Sequence, residues 1–133
     1  MESDTLGSKV WFGPVGLLVQ PGDTVRWEIR SNVHSVAAYH PANEGHALRI
    51  PEGAAPWDSG YLLNPDDNFE VTLTVPGVYD YYCAPHEFAG MVGRIVVGNG
   101  AAAKDWSDVP DDVRAAFPEV GEIMAKRAVH VGE

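Results

Sequence analysis

The single cysteine of this chain lies close in sequence to a histidine and a methionine. Cys83, His86 and Met91 fall within the stretch YYCAPHEFAGMVGRIVVG (residues 81–98), on a loop predicted between two strands. Thiolate and thioether groups prefer copper, and imidazole binds copper in either oxidation state. One cysteine, two histidines and a weak axial methionine form the ligand set of blue-copper electron-transfer sites. The spacing therefore predicts a copper site that needs one further histidine.

His34 is the best candidate for that histidine. It begins a predicted strand, HSVAAY. If the strands form a β-sandwich, one end of this strand can meet the 83–91 loop at the same end of the sandwich. Taken singly, a cysteine in a sandwich is usually a small buried apolar residue. The joint spacing, with His34 upstream, favours a metal site instead. His40 and His46 lie in a loop-like segment, where solvated side chains are the favoured interpretation and a second, weaker metal site is the alternative.

Short β-type segments separated by glycine and proline dominate the first hundred residues. Residues 24–29, TVRWEI, alternate apolar and polar side chains, the period of a half-buried strand. This texture predicts an antiparallel β-sandwich, with a long excursion between about Pro41 and Asn68. The predicted strands are KVWF (9–12), LLVQ (17–20), TVRWEI (24–29), HSVAAY (34–39), FEVTLTV (69–75), VYDYYC (78–83) and GRIVVG (93–98).

After Gly98 the pattern becomes helical. Apolar side chains recur at helical spacing in residues 110–117 and again in residues 118–129. Each predicted helix is too short to be stable alone in water, so we expect the pair to pack on the sandwich. We therefore divide the chain into a β-sandwich over residues 1–100 and a helical extension over residues 101–133 of the same domain.

Composition excludes several classes of protein. The 133 residues contain 9 Lys and Arg against 19 Asp and Glu, a net charge of −10, whereas nucleic-acid binding requires a basic patch. No apolar run reaches the length of a membrane helix, so we expect no integral membrane segment. The N-terminal residues lack the basic and apolar regions of a secretory signal. One cysteine excludes an internal disulfide. As a separate expectation, the protein is a monomer.

The motifs resemble those of a known family. YYCAPHEFAGMVGRIVV, with VQPGDTVRWEI and NVHSV upstream, resembles the cupredoxins, the small type 1 copper proteins, over about residues 9–98. The Cys-x2-His-x4-Met spacing is similar to that of the plastocyanin, pseudoazurin and halocyanin-like branches. The resemblance implies a Greek-key antiparallel β-sandwich and one copper ion held by His34, Cys83, His86 and Met91. The C-terminal pair of short helices is similar to that of pseudoazurins.

The resemblance also implies a function. It indicates an electron carrier, not an enzyme, that cycles between Cu(I) and Cu(II), with His86 as the exposed electron port. Its partners would be transient redox proteins, such as a cytochrome, an oxidase or a copper reductase. Acidic side chains near the port, Glu87 among them, would attract a cationic partner. Mature cupredoxins work outside the cytoplasm, so the resemblance implies the periplasm or the extracellular face of the membrane.

Two positions next to the proposed ligands depart from the family pattern. Many relatives carry Asn after the first histidine and Ser or Thr after the cysteine, whereas this chain has Ser35 and Ala84. Because hydrogen bonds to the ligands tune the properties of a bound metal, we expect an altered reduction potential or a softer metal site.

Copper delivery without electron transfer is the main alternative function, although only three methionines and one cysteine are present. A hydrolytic zinc site would need an open ligand position, and a structural module would bind no metal stoichiometrically.

Overall fold

Nine strands and one helix form the part of the chain that the structure describes. The structure is a computed structural model that describes residues 1–3, 10–30, 33–43, 45, 48–51, 53–64, 66–87, 90–98 and 116–130. The strands are β1 (Glu2–Ser3), β2 (Val10–Trp11), β3 (Gly16–Val19), β4 (Asp23–Glu28), β5 (Ala37–Ala38), β6 (Asn68–Leu73), β7 (Gly77–Tyr82), β8 (Val92–Val97) and β9 (Ala128–Val129), and helix α1 spans Val120–Lys126. With seven residues, α1 is too short to cross a membrane.

The largest sheet has the strand order β5-β7-β8-β3-β9, and β4 pairs with β6 in a second sheet. Strands β7 and β8 are antiparallel from Gly77↔Val97 to Tyr82↔Val92. Strands β3 and β8 are parallel, so the larger sheet is mixed. The predicted β-sandwich is confirmed, and among the described strands this pair is the one departure from the antiparallel pattern. Its two strands lie far apart in sequence.

The core lies between the two sheets. In β4, Val25 and Trp27 are buried while their neighbours face outward, as the alternating sequence predicts. The ring of Trp27 packs edge-on against Tyr81 of β7, with 5.3 Å between the ring centroids. Cys83 and Met91 are buried at the end of this same apolar cluster. The metal-site residues are therefore continuous with the core of the sandwich.

The C-terminal residues cover the other face of the larger sheet. Ile123 of α1 and Val129 of β9 pack in one cluster with Val78 and Val96. This cover explains why every residue of β7 and β8 is buried. A strand buried on both faces shows no apolar alternation, so its sequence does not reveal what lies on its outer side.

The predicted second helix is shorter than the sequence suggests. It ends at Lys126. The next residue, Arg127, has a φ of 68°, and the chain then forms β9 beside β3, with Leu17 opposite Ala128. The predicted first helix, residues 110–117, lies mainly outside the described residues. Its last two residues, Ala116 and Phe117, are described and form a turn. The domain division at residue 100 stays a prediction, because residues 99–115 are not described.

Candidate metal centre

Three donor side chains meet at one end of the sandwich. One ligand atom from each of His34, Cys83 and His86 lies within 4.8 Å of the other two. The Cys83 Sγ is 3.8 Å from Nδ1 of His34 and 3.4 Å from Nδ1 of His86. Among the described residues, this is the one such cluster of histidine, cysteine and acidic side chains. The structure thus brings together the cysteine and both histidines that the sequence singles out.

A short hydrogen-bonded loop carries three of the four predicted ligands. Cys83 directly follows β7, and Met91 directly precedes β8, the antiparallel neighbour of β7. The N–H of Cys83 donates to the carbonyl of Met91 at 3.0 Å, which closes the loop at its base. The N–H of His86 donates to the carbonyl of Cys83 at 3.1 Å, and the N–H of Met91 donates to the carbonyl of His86 at 3.2 Å. These bonds hold the Cys83–Met91 backbone in one compact shape.

Glycine is required at one position of this loop. Gly90 has a φ of 89°, in the left-handed region that other residues rarely adopt. Its N–H donates to the carbonyl of Glu87 at 2.9 Å and turns the chain back toward Met91.

A different segment positions His34. Its backbone pairs with Leu62 in an isolated antiparallel bridge, with N–H to carbonyl distances of 3.3 and 2.8 Å. The long excursion between β5 and β6 therefore returns to support the first histidine. The sequence predicts this excursion but offers no sign of its contact with His34.

Ser35 joins the His34 segment to the Cys83 loop. Its N–H points at the Cys83 Sγ from 3.4 Å, and its hydroxyl accepts a hydrogen bond of 2.8 Å from the N–H of Ala84. Ala84 thus takes part through its backbone, although its side chain is a methyl group. An N–H directed at sulfur stabilises a thiolate relative to a thiol. The link between the two ligand segments, which the family pattern assigns to polar side chains at both positions, is made here by one hydroxyl.

Burial sets the protonation of the ligands. His34, Cys83 and Met91 are 0% exposed, whereas His86 is partly exposed. Burial raises the pKa of the Cys83 thiol, although the hydrogen bonds from Ser35 oppose this shift. Burial also lowers the pKa of His86, so its imidazole is neutral near pH 7 and available as a ligand. A metal that binds Cys83 must displace the thiol proton.

The arrangement of donors fits copper. In a trigonal site with bonds of about 2.0–2.3 Å, neighbouring ligand atoms lie about 3.5–3.8 Å apart. The two sulfur–nitrogen distances, 3.4 and 3.8 Å, are close to this range. Met91 is buried in the same cluster as Cys83, on a backbone bonded to both Cys83 and His86. A soft sulfur donor with two imidazoles in a closed cradle suits copper rather than a hard cation.

The remaining histidines do not join the cluster. Nδ1 of His40 accepts a hydrogen bond of 3.0 Å from the N–H of Ala42 within a local turn. His130 is exposed, and His46 lies outside the described residues. Within the part that is described, no observation supports a second metal site at His40.

Glu87 differs from the sequence-based expectation. An acid beside an exposed histidine is expected to face solvent, but Glu87 is only 6% exposed. Its carboxylate accepts a hydrogen bond of 2.6 Å from the hydroxyl of Tyr39. The Glu87 carboxylate is therefore turned toward Tyr39 and is not presented to solvent, while attraction of a cationic partner by the protein stays a prediction. The two residues are 48 positions apart, so no local pattern signals the contact.

Comparison with known proteins supports one family. The family model of copper binding proteins of the plastocyanin/azurin family matches residues 1–98. Plastocyanin of Hordeum vulgare is 60% identical over 101 residues, covering 68% of this chain and 57% of the barley protein. The chain thus spans less than two thirds of this relative.

Solved structures of copper proteins are also similar to this chain. A pseudoazurin from Sinorhizobium is 36% identical with a TM-score of 0.58, covering 76% of this chain and 71% of the other. A variant of amicyanin in its Cu(I) form is 28% identical with a TM-score of 0.51, covering 66% of this chain and 73% of the other. With the cluster of His34, Cys83 and His86 at the sandwich end, these similarities show that the chain belongs to the plastocyanin/azurin family of copper-binding proteins, with copper as its cofactor.

Proposed function

We propose that this protein is a small type 1 copper electron carrier that passes single electrons between redox partners. The observation that carries the proposal is the meeting of one thiol and two imidazoles, with Cys83 Sγ 3.4 and 3.8 Å from the two Nδ1 atoms. In this proposal His34, Cys83, His86 and Met91 would hold the copper ion. Bound copper supplies one-electron chemistry between Cu(I) and Cu(II).

The surrounding residues hold the ligands in place. Three backbone hydrogen bonds fix the Cys83–Met91 loop, and Ser35 links it to the His34 segment. Because interiors are close-packed, such a site resists rearrangement when the charge on the metal changes. The complete burial of His34, Cys83 and Met91 excludes water from their side of the site. With four ligands, no position is open for a substrate, so we propose no catalytic role.

His86 is the proposed electron port. It is the one partly exposed residue among the four proposed ligands. Its neighbour Pro85 is exposed, which gives a small apolar contact beside the imidazole and suits a transient partner. Phe88 and Ala89 lie outside the described residues.

The proposed partners are redox proteins such as a cytochrome, an oxidase or a copper reductase. The net charge of −10 supports a cationic partner, because complementary charge raises association rates. We further propose that the protein acts as a monomer in a compartment outside the cytoplasm, in the periplasm or on the extracellular face of a membrane.

One spectrum tests the proposal. One equivalent of Cu(II) added to the metal-free protein is expected to produce an intense blue or green charge-transfer band that ascorbate removes and air or ferricyanide restores. Cys83→Ser is expected to lack the band. His40→Ala is the matched histidine control and is expected to keep it, whereas His86→Ala changes or loses it.

Two results would count against the proposal. A pale product with only weak absorption would exclude a copper–thiolate bond. An intense band that does not recover after reduction and reoxidation would exclude reversible electron transfer and would favour copper delivery.

A further inference from the structure

A buried hydrogen bond connects the metal loop to the strand that follows His34. Glu87 follows His86 directly, and its carboxylate accepts the Tyr39 hydroxyl at 2.6 Å. Tyr39 is five residues beyond His34, directly after β5. Burying a carboxylate costs free energy unless it is paired, so this bond determines which way the Glu87 side chain turns. The bond therefore spans the two segments that supply the histidines.

Tyr39 is itself firmly held. Its N–H donates to the carbonyl of Asp80 at 3.0 Å, and its carbonyl accepts the N–H of Arg49 at 2.9 Å. Its ring lies 4.8 Å from that of Tyr82, centroid to centroid. Burial, and after it the hydrogen bond to Glu87, raise the pKa of the Tyr39 hydroxyl far above its usual value. The hydroxyl is thus protonated near pH 7 and can donate its hydrogen to Glu87.

The C-terminal segment Ala116–Pro118 packs against this contact from outside. The ring of Phe117 is 5.9 Å from that of Tyr39, centroid to centroid. A Cβ at Gly90 would lie 3.8 Å from the Cβ of Ala116, so the segment also lies beside the metal loop.

Arg94 of β8 holds the segment in place. Its Nη1 donates to the carbonyl of Pro118 at 2.9 Å, and its guanidinium lies 5.2 Å from the centroid of the Phe117 ring. Two further hydrogen bonds, of 2.7 and 3.2 Å, fix Arg94 to the carboxylate of Asp80. The segment Ala116–Pro118 is thus held by a buried network of hydrogen bonds through Arg94 and Asp80.

We infer that Tyr39 and Glu87 are positioning residues of the metal site, supported from outside by Ala116–Pro118. Their hydrogen bond fixes the backbone next to His86, so the imidazole already faces Cys83 in the metal-free protein. The inference rests on the proposed function in that His86 is a copper ligand. Its effect on the loop, however, exists in the metal-free protein and can be measured there.

The test compares two tyrosines. Tyr39→Phe removes the hydroxyl and keeps the ring against Tyr82. Tyr79→Phe is the matched control, because the Tyr79 hydroxyl also donates a 2.6 Å hydrogen bond, to the carbonyl of Val75 beyond the opposite end of β7. Amide hydrogen exchange of the metal-free proteins, followed by NMR, reports local opening at His86 and Met91.

Tyr39→Phe is expected to raise the exchange rates of the His86 and Met91 amides by about tenfold, the effect of losing one hydrogen bond to a charged group. Tyr79→Phe leaves them within twofold of the wild type. Glu87→Ala is expected to raise these rates at least as much as Tyr39→Phe, and the double variant to raise them by less than the two effects combined, because both single changes remove the same hydrogen bond. Copper-loaded Tyr39→Phe is also expected to show a shifted charge-transfer band, whereas Tyr79→Phe is not.

Equal exchange in Tyr39→Phe and Tyr79→Phe would overturn the inference, and so would additive effects of Tyr39→Phe and Glu87→Ala. Absence of the charge-transfer band from the wild type would instead refute the proposed function. The exchange data would still decide whether the hydrogen bond fixes the loop.

Discussion

The Ser35 hydroxyl is the contact whose removal tests most directly how the two ligand segments are joined. Ser35→Ala deletes the atom that accepts the Ala84 N–H at 2.8 Å. It leaves intact the backbone N–H of residue 35, which points at the Cys83 Sγ. The substitution thus separates the link between segments from the hydrogen bond to sulfur.

The size of the effect follows from the burial of the group left without a partner. A buried donor that loses its acceptor costs about 1–3 kcal/mol. Ser35 is 1% exposed but Ala84 is partly exposed, so water reaches the freed N–H and we expect the lower part of that range, about 1–2 kcal/mol. In a chain of this length such a loss lowers the Tm by about 4–8 °C.

The second measured quantity is the rate of copper release to a chelator. If the link holds the two ligand segments together, loosening it by about 1.4 kcal/mol accelerates release by about tenfold. The charge-transfer band is expected to persist, because the Cys83 sulfur and its N–H donor remain. Thermal unfolding of the metal-free protein and chelator kinetics of the loaded protein are the two assays.

Ser59→Ala is the matched control. The Ser59 hydroxyl accepts the N–H of Val36 at 2.9 Å and donates to the carbonyl of Gly60 at 2.7 Å. It therefore binds the His34 segment without bonding to the Cys83 loop. Ser59→Ala is expected to lower the Tm and to leave copper release unchanged. Equal release rates in Ser35→Ala and Ser59→Ala would refute the reasoning, since destabilisation of the fold alone would then explain them.

Three further predictions concern charge and packing. Burial raises the pKa of the Cys83 thiol above its unfolded value of about 8.5, so this thiol stabilises the metal-free fold below that pH and the gain is lost above it. The Tm of the wild type is therefore expected to fall toward that of Cys83→Ser between pH 7 and 10, and parallel plots of Tm against pH for the two proteins would contradict this. Arg94→Met removes the ion pair that Arg94 forms with the fully buried Asp80 and is expected to reduce the free energy of unfolding in urea by about 3 kcal/mol, so a loss below about 1 kcal/mol would show that this ion pair contributes little to stability. Gly93→Ala would press a methyl group into the ring of Tyr81 and is expected to cost about 1–3 kcal/mol by the same assay, whereas a neutral effect would mean that the ring can move.

The sequence predicts the strands that carry the site better than the elements around them. Strands β7 and β8 match the predicted segments 78–83 and 93–98, except that each begins and ends one residue earlier. The C-terminal helix is harder to predict, because Ala128 continues the helical spacing but pairs with Leu17 as a strand. Pairing with a sheet edge is a tertiary event, and it overrides a helical pattern near a chain end.

The candidate ligands can be found from the sequence because copper requires uncommon side chains at close spacing. Cys83, His86 and Met91 lie on one loop whose ends are neighbouring strands, so their spacing reflects a local geometry. The contacts that support them have no such signature. Ser35 and Ala84 are 49 positions apart, and Tyr39 and Glu87 are 48 apart. Serine, tyrosine and glutamate also have many ordinary roles in a β-sandwich, so their types alone point to no partner.

The exposure of His86 depends on both the topology of the sheet and side-chain contacts. Cys83 directly follows β7, which lies between β5 and β8 in the sheet. Met91 directly precedes β8 and is held against Cys83 by the hydrogen bond that closes the loop. His86 and Glu87 both follow the end of β7, but His86 is partly exposed whereas Glu87, at the middle of the loop, is only 6% exposed because its carboxylate bonds Tyr39. The end of the sheet therefore permits exposure, and the side-chain contacts decide which residue of the loop is exposed.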